Sequence, residues 1–176
     1  DSSPSRGLGD VYKRQYIHPA TLEAAIAVAS NLLPDDYREI TEGHGHDPEN
    51  ALVVGINNCD SVYFKVPDGQ LAGMAGVSPD GKIWMVCTPA IENYPVTFAR
   101  EAKRYVEGRK EKLLWNIVDK RNKVHIKLLR FLGFKFLREV KHGPNQLSFM
   151  EFCRGNISYT RSCLLYTSPS PRDGDE

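Results

Sequence analysis

The sequence is poor in the features that mark several common classes of protein. Three of its four cysteines, Cys59, Cys87 and Cys153, are widely spaced and form no C-x-x-C pair. Neither a disulfide framework nor a zinc site is therefore predicted, and a reducing cytosol fits. No apolar run is long enough to cross a membrane, and no secretory signal is visible. The 23 basic residues nearly balance the 22 acidic ones, which argues against nucleic acid as a partner.

Both ends of the chain carry segments that differ from the rest. Residues 1–15 contain SRGLGDVYKRQ, and residues 163–176 begin with CLLYTSPSPRD. The two can be encoded by opposite strands of one DNA sequence in shifted reading frames, and that DNA resembles the transposase adapter of sequencing libraries. We expect both segments to be translated adapter rather than native protein, and they are excluded from fold prediction. What remains, residues 16–162 with a core over 16–154, has the length of one domain.

The clearest secondary-structure signal lies between Leu113 and Phe136. Leu113–Val118 is a short apolar run that predicts a buried strand. Polar residues 119–122 break this run and supply side chains that start helices. From Lys123 the spacing becomes helical, and Gly133 is predicted to end the helix because a left-handed residue is needed there. The predicted apolar face of this helix consists of His125, Leu128, Leu129 and Leu132.

Helices are predicted before this stretch. Thr21 is a candidate N-cap for a first helix, and Asp47, followed by Pro48, for a later one. A further helix, lined by Phe98, Ala102, Tyr105 and Val106, is predicted before residue 110.

Three strands joined by short turns are predicted in the middle of the chain. They cover Val62–Val66, Leu71–Val77 and Lys82–Cys87, and the short turns predict an antiparallel meander. Gly73 and Gly76 inside the middle strand indicate a bulge or a close backbone approach. The helix that follows predicts a right-handed crossover, with Lys82–Cys87 and Leu113–Val118 as a parallel pair. A terminal hairpin is predicted from Lys135–His142 and Gln146–Arg154.

A family resemblance accompanies this order of elements. The spacing N-x-x-A-x-x-L-Y-x-x-x-G-F, which closes the cofactor half of the GNAT (Gcn5-related N-acetyltransferase) fold, is similar to the spacing here, although His125 replaces the usual alanine and Leu129 the usual tyrosine. The resemblance implies an α/β fold (α+β by layer) with a mixed central sheet, an antiparallel meander, two crossover helices and a C-terminal hairpin. The matching positions are Asn122, His125, Leu128, Leu129, Gly133 and Phe134.

The resemblance also implies where acetyl-CoA would bind. In this family the strand that corresponds to Lys82–Cys87 bonds the pantetheine arm through its backbone, and glycines before the next helix let backbone N–H groups reach the pyrophosphate. No glycine lies between Gly81 and Gly108 here, Glu92 adds negative charge, and Pro95 lacks a donor. Weak or no binding of acetyl-CoA is therefore expected. The cofactor-binding candidates are Met85, Val86, Cys87, Val96, Thr97 and Asn122.

Histidines supply the other candidates for chemistry. His125 could act as a base in acyl transfer, because the pKa of histidine lies nearest neutrality, but a core histidine bonded to Asn116 or Asp119 is favoured. His44 and His46, with Asp47, could ligate a metal, but a solvated loop is favoured, since a site needs more ligands. No catalytic residue is assigned beyond the candidate His125, and no metal is expected.

A narrower resemblance concerns function. The runs HPATLEAAIAVASNLLPDDYREI, IWMVCTPAI, LWNIVDKRNKVHIKLLRFLGF and FMEFCR resemble small GNAT-like proteins of tailed bacteriophages, which include the internal virion protein A family. This resemblance implies a virion-assembly or interaction factor with a degenerate acetyl-CoA site, a phage structural protein or host protein as partner, and action in the cytoplasm of an infected bacterium. The alternative is an active N-acetyltransferase acting on a protein or small-molecule amine. Fold alone does not separate the two.

Overall fold

A computed structural model of the protein describes residues 16–155. The predicted adapter segments, 1–15 and 163–176, lie outside the described residues, so that prediction is untested. Two non-α turns interrupt the helices, a π turn at Glu39–Gly43 and a 3-10 turn at Pro89–Asn93. The helices are α1 (Leu22–Ala29), α2 (Pro34–Arg38), α3 (Pro48–Asn58), α4 (Pro95–Glu107) and α5 (Lys123–Phe131). The strands are β1 (Ile17–Pro19), β2 (Asp60–Lys65), β3 (Leu71–Val77), β4 (Ile83–Cys87), β5 (Leu113–Asp119), β6 (Lys135–His142) and β7 (Leu147–Gly155).

The strands form two antiparallel sheets. One has the order β1-β2-β3-β4, and the other has the order β5-β7-β6. The meander and the terminal hairpin are thus confirmed. The expected bulge is present as well, because Phe64 pairs with Gly73 whereas Lys65 pairs with Leu71. At Gly73, an added Cβ would clash with the backbone carbonyl oxygen of Val86 on β4, so the close backbone approach is also confirmed.

The predicted parallel pair of β4 and β5 forms only at its beginning. Within the described residues, one parallel bridge, Lys82 with Trp115, joins the two sheets. Beyond it the side chain of Asn116 takes the place of a backbone partner: its Nδ2 donates to the Ile83 carbonyl at 2.7 Å. Because a side chain has replaced the backbone bond, the two strands diverge, and the sheet is split rather than continuous.

Apolar side chains pack on both faces of the first sheet. Met74 and Val86 lie in a cluster under α1 and α3, whereas Ala75 and Cys87 belong to the larger cluster under α4 and α5. Successive residues of a strand point to opposite faces, which explains this division. The split between β4 and β5 therefore opens beneath α4 and α5.

Helix α5 begins and ends where the sequence predicted. The side chain of Asn122 accepts a hydrogen bond from the His125 N–H, and Gly133 has φ of 90°. The apolar face is rotated from the prediction, however. Ile126 and Leu129 are buried against the sheets, whereas His125 and Leu128 are only half-buried. The sheet-facing positions are taken by Ile126 and Leu129, and this turns His125 toward the space between α4 and α5.

Candidate functional site

A cleft of about 770 Å³ opens between α4 and α5 at the carboxyl end of β4. This volume is in the range of small-molecule sites in proteins. Two exposed apolar side chains line it, Phe131 at the end of α5 and Val124 two turns earlier. The polar side chains that line it are Asp35, Asp36, Glu92, Asn122, His125 and Lys127.

The turn from β4 into α4 forms the floor of the cleft. Thr88 caps the 3-10 turn by accepting from the Ala90 N–H, and its hydroxyl donates to the Leu71 carbonyl at 2.8 Å. Pro89 and Pro95 begin the 3-10 turn and α4, so each sits where a missing N–H is tolerated. This turn, with a proline at each end, occupies the position at which the family resemblance would place glycines.

Beside the cleft, the free edge of β4 is filled by the segment around α2. The Cys87 N–H donates to Asp36 Oδ2 at 2.9 Å, and the Cys87 carbonyl accepts from the Leu33 N–H at 2.9 Å. Both backbone groups that Cys87 directs away from β3 are therefore satisfied within the protein.

Asp36 and Asn122 carry this contact across to β5. Asn122 is 3% exposed, and its Nδ2 donates to Asp36 Oδ1 at 2.9 Å and to Glu39 Oε1 at 3.3 Å. The same Glu39 oxygen accepts from the Asp119 N–H at 3.2 Å. A carboxylate from α2 and another from the π turn thus bridge the divergent ends of β4 and β5.

Burial and neighbouring charge set the ionisation of these groups. Desolvation raises the pKa of Asp36, and His125 acts against that rise. Burial also raises the pKa of the Cys87 thiol well above its usual value, so Cys87 is a poor nucleophile at neutral pH. Burial acts to raise the pKa of Asp119, but hydrogen bonds from Arg121 hold it below the usual value.

Sequence reasoning missed Asp36 and Glu39. Asp36 lies in the run PDDYR, where an acidic residue in the first turn of a helix is ordinary. Its partner Cys87 is 51 residues away in sequence, so no local pattern connects the two. The only available signal was that α2 begins with proline and two acidic residues together.

The predicted cofactor-binding residues are divided between the cleft and other places. Cys87 and Asn122 line the cleft, and Met85 faces the space under α4 instead. Val86 is buried in the cluster under α1 and α3, and the side chain of Val96 is 67% exposed. The sixth predicted residue, Thr97, lies with Met85 under α4. Since the family resemblance implies backbone contacts, these side-chain positions leave the binding roles as predictions.

His125 lies on the cleft wall rather than in the core. The favoured partners make other bonds: Asn116 donates to Ile83, and Asp119 accepts from Arg121. The prediction of a core histidine bonded to either residue is therefore wrong. The cause is the rotation of α5, which brings His125 close enough to Asp36 for their charges to interact.

The loop that carries His44, His46 and Asp47 differs from a plain solvated loop. Asp47 caps α3 by accepting from the Asn50 N–H at 3.0 Å, as predicted. His44 is half-buried, and its Nδ1 lies 2.9 Å from Nε2 of His142. Among residues 16–155, no group of three or more His, Cys, Asp or Glu side chains is arranged to hold a metal ion.

No helix within residues 16–155 is long and apolar enough to span a membrane.

Comparisons with known proteins identify the fold. No family model matches the chain, and no curated protein matches it in sequence. It is similar in structure to a GNAT-family acetyltransferase of Bacillus anthracis, with a TM-score of 0.58 and 13% identity over 79% of this chain and 93% of that one. It is also similar to the aminoglycoside acetyltransferase AAC(6')-Ib solved with coenzyme A, with a TM-score of 0.58 and 12% identity over 84% and 98%.

A third similar structure is a phosphinothricin acetyltransferase of the GNAT superfamily from Sinorhizobium meliloti, solved with acetyl-CoA. Its TM-score is 0.56, with 15% identity over 79% of this chain and 86% of that one. The chain therefore has the GNAT acetyltransferase fold, as the resemblance implied, and its cleft can be tested against the cofactor of that fold.

The residues of the cleft fit coenzyme A only in part. The apolar lining suits a pantetheine-like chain, but a diphosphate needs backbone N–H groups and cations. Among the lining residues, Lys127 is the one Lys or Arg, whereas three are carboxylates, Asp35, Asp36 and Glu92. Pro95 offers no N–H in the first turn of α4. The diphosphate end of the cofactor therefore does not fit these residues.

Proposed function

We propose that this chain is a bacteriophage GNAT-like protein that acts in virion assembly or in protein interaction, with a degenerate acetyl-CoA site. The fold is that of an acetyltransferase, and fold is compatible with many functions. The phage assignment rests on the four runs of sequence given above. The partner in this proposal is a phage structural protein or a host protein.

The observation that carries the proposal is the occupied edge of β4. Asp36 and Leu33 bond the N–H and carbonyl of Cys87, at the end of the strand that the family uses to bond pantetheine. A cofactor bound in the family's manner would have to displace both bonds. The buried carboxylate of Asp36 would then lose the hydrogen bond that it accepts from the Cys87 N–H, which is costly.

The balance of charge in the cleft supports the same proposal. Three carboxylates and one lysine line it, and coenzyme A carries negative phosphates. On α4, Lys103 lies over the ring of Phe131, and Arg104 pairs with Glu101. The residues that line the cleft include none of the α4 cations Arg100, Lys103 and Arg104.

Calorimetric titration of the full chain with acetyl-CoA tests the degenerate site. We expect no saturable heat at millimolar ligand and almost no shift in melting temperature. Mass action makes this sensitive, since a ligand at about 100-fold above its dissociation constant adds roughly 2.7 kcal/mol of stability. The Sinorhizobium meliloti enzyme, solved with acetyl-CoA, is the positive control. A saturable isotherm for this chain would contradict the proposal.

The assembly role is tested in the phage that encodes the chain. Quantitative mass spectrometry of purified particles should detect the protein in a constant ratio to the structural proteins. A protein that is abundant in infected cells but absent from assembling and mature particles would contradict a virion role, whatever the titration shows.

A second candidate function is transfer of an acetyl group from acetyl-CoA to an amine of a protein or small molecule. It is favoured by one observation, the half-buried imidazole of His125 beside the buried carboxylate of Asp36 in an apolar cleft. A histidine in such a place can accept the proton of an attacking amine. Release of free thiol from acetyl-CoA in the presence of a panel of amines, and its loss in His125→Ala, would favour this function.

A further inference from the structure

The turn between β6 and β7 docks on the end of the π turn and on the start of the loop that follows it. Asn145 Nδ2 donates to the Glu42 carbonyl at 3.0 Å. The backbone of Gly143 approaches so closely that a Cβ there would lie 1.8 Å from the Gly43 carbonyl oxygen. The two turns come from segments about a hundred residues apart, so this contact is tertiary rather than local.

Two histidines join the turns at the edge of this contact. His44 Nδ1 and His142 Nε2 are 2.9 Å apart, and their rings meet edge to face at 75° with centroids 4.9 Å apart. Phe149 packs against both rings, with centroid distances of 5.3 Å and 4.9 Å. A hydrogen bond between two ring nitrogens needs one N–H donor and one bare nitrogen. The contact can therefore exist only while at least one of the two rings is neutral.

The charged groups around the pair do little to favour a second proton. His46 stacks on His44 at 6.2 Å, and Lys82 also acts on His142 as a positive charge. Glu39 supplies the opposing charge, with its Oε2 3.7 Å from His44 Nε2. Its other oxygen is already an acceptor for the buried contact near the cleft.

Other carboxylates near the loop are committed to an arginine. Arg121 NH1 donates to Glu42 at 2.8 Å, and its NH2 donates to Asp119 at 2.8 Å. Asp119 lies directly beneath Gly43, where an added Cβ would be 3.3 Å from its Oδ2. These two carboxylates are therefore paired with Arg121 and are not free to offset a doubly protonated histidine pair.

We propose that the His44–His142 pair is a pH-sensitive latch: when both rings are protonated, they repel, and the β6–β7 turn separates from loop 42–46. This inference does not depend on the proposed function. Separation of the two turns is also expected to affect the cleft. The π turn that precedes the latch carries Glu39, which accepts a hydrogen bond from the cleft residue Asn122.

The direction of the pH dependence follows from His142. Desolvation, then the neighbouring His44, Lys82 and His46, lower the pKa of His142 below its ordinary 6.5, while Glu39 acts weakly to raise it. The separated form therefore binds a proton more readily than the docked form. Docking is stable above about pH 6.5 and is lost as the pH falls through that value toward the lowered pKa.

Hydrogen exchange of the full chain tests the latch at about pH 7.5 and about pH 5.5. The reporters are the Gln146 N–H, bonded to the Gly143 carbonyl, and the His46 N–H, bonded to the Ile40 carbonyl. After correction for intrinsic rates, we expect their protection to fall at the lower pH, because protonation of His142 favours the separated form. Equal protection at both pH values would overturn the proposal.

A matched pair of variants assigns the effect. His142→Gln keeps a polar side chain but cannot gain the charge, so the pH dependence should vanish. His18→Gln, in β1 and stacked on Tyr63 at 4.9 Å, should keep the parent's pH dependence. If His142→Gln retains that dependence, the latch is excluded.

NMR titration of the ring carbon protons gives a test that needs no variant. The His142 ring should titrate below the ordinary histidine value of 6.5. A His142 ring that titrates at the ordinary value would contradict the proposal.

Discussion

Residues 33–46 contact the rest of the protein at two places of opposite character. At the first, Asp36 and Leu33 bond the backbone of Cys87 in a buried setting. At the second, His44 bonds His142 at a half-exposed turn. Glu39 on the π turn lies between the two and contacts both.

The two contacts differ in the chemistry of their acceptors. The buried one uses the carboxylate of Asp36 and backbone groups, in a position with little exposure to solvent. The exposed one uses imidazoles, which change charge near neutrality. The comparison indicates that the first contact fixes the path of the chain across the cleft, whereas the second is adjustable. The difference follows from burial, since an unsatisfied buried group is far more costly than an exposed one.

Removing the buried contact should have the largest effect. Asp36→Ala leaves the buried Cys87 N–H without its acceptor and leaves the Asn122 amide with Glu39 as its one remaining side-chain acceptor. We expect a loss of about 3 kcal/mol in the free energy of unfolding, measured by urea denaturation.

The neighbouring residue Asp35 supplies the control for that change. Asp35 forms an exposed pair with Arg38 at 2.8 Å, and such pairs contribute little. Asp35→Ala should change stability by less than about 0.5 kcal/mol. Similar losses in the two variants would contradict the distinction between a buried anchor and the surface around it.

Breaking the exposed contact should cost less. Gly143 has φ of 77°, and Gly143→Ala would place a Cβ against the Gly43 carbonyl. We expect a loss of about 2 kcal/mol, from left-handed strain together with separation of the two turns. The exchange of the Gln146 N–H should rise toward that of the low-pH parent.

A substitution at Gly69 serves as the control, because it introduces backbone strain without a steric clash. It has φ of 90°, yet nothing lies within 4 Å of an added Cβ. Gly69→Ala should therefore show the strain alone, about 1 kcal/mol, with no change in exchange at the β6–β7 turn. If both glycine variants behave alike, the docked turn contributes nothing measurable.

The smallest effect is expected at His125, which lines the cleft and belongs to neither contact. A half-buried residue on a cleft wall loses little packing on truncation, so His125→Ala should destabilise by less than about 1 kcal/mol. Thermal and urea unfolding measure this directly. A loss comparable to that of Asp36→Ala would make His125 a structural partner of the buried contact.

Much of the fold was predictable because its signals are local. Asp47 caps α3, Asn122 caps α5, and Gly133 ends α5 in a left-handed conformation. Each of these is decided by the chemistry of one residue and its nearest neighbours in the chain. The meander and hairpin follow in the same way from short turns.

The candidate site was less predictable because its contacts are distant in sequence. The apolar spacing of α5 is satisfied nearly as well with His125 inward as with Ile126 inward, and only packing against the sheets chose Ile126. The split of β4 from β5 depends on the Asn116 side chain meeting Ile83, which the pattern of an apolar strand does not reveal.

The sequence by itself determined the order of elements, their caps and turns, and the lack of glycine before α4, since backbone conformation and hydrophobic period act over a few residues. Only the tertiary structure decided that Asp36 fills the edge of β4, 51 residues away, and that His44 meets His142, 98 residues away. Contacts of that separation exist only after the sheets and helices have packed, because packing alone brings the two partners within bonding distance and removes the water that would otherwise compete for them.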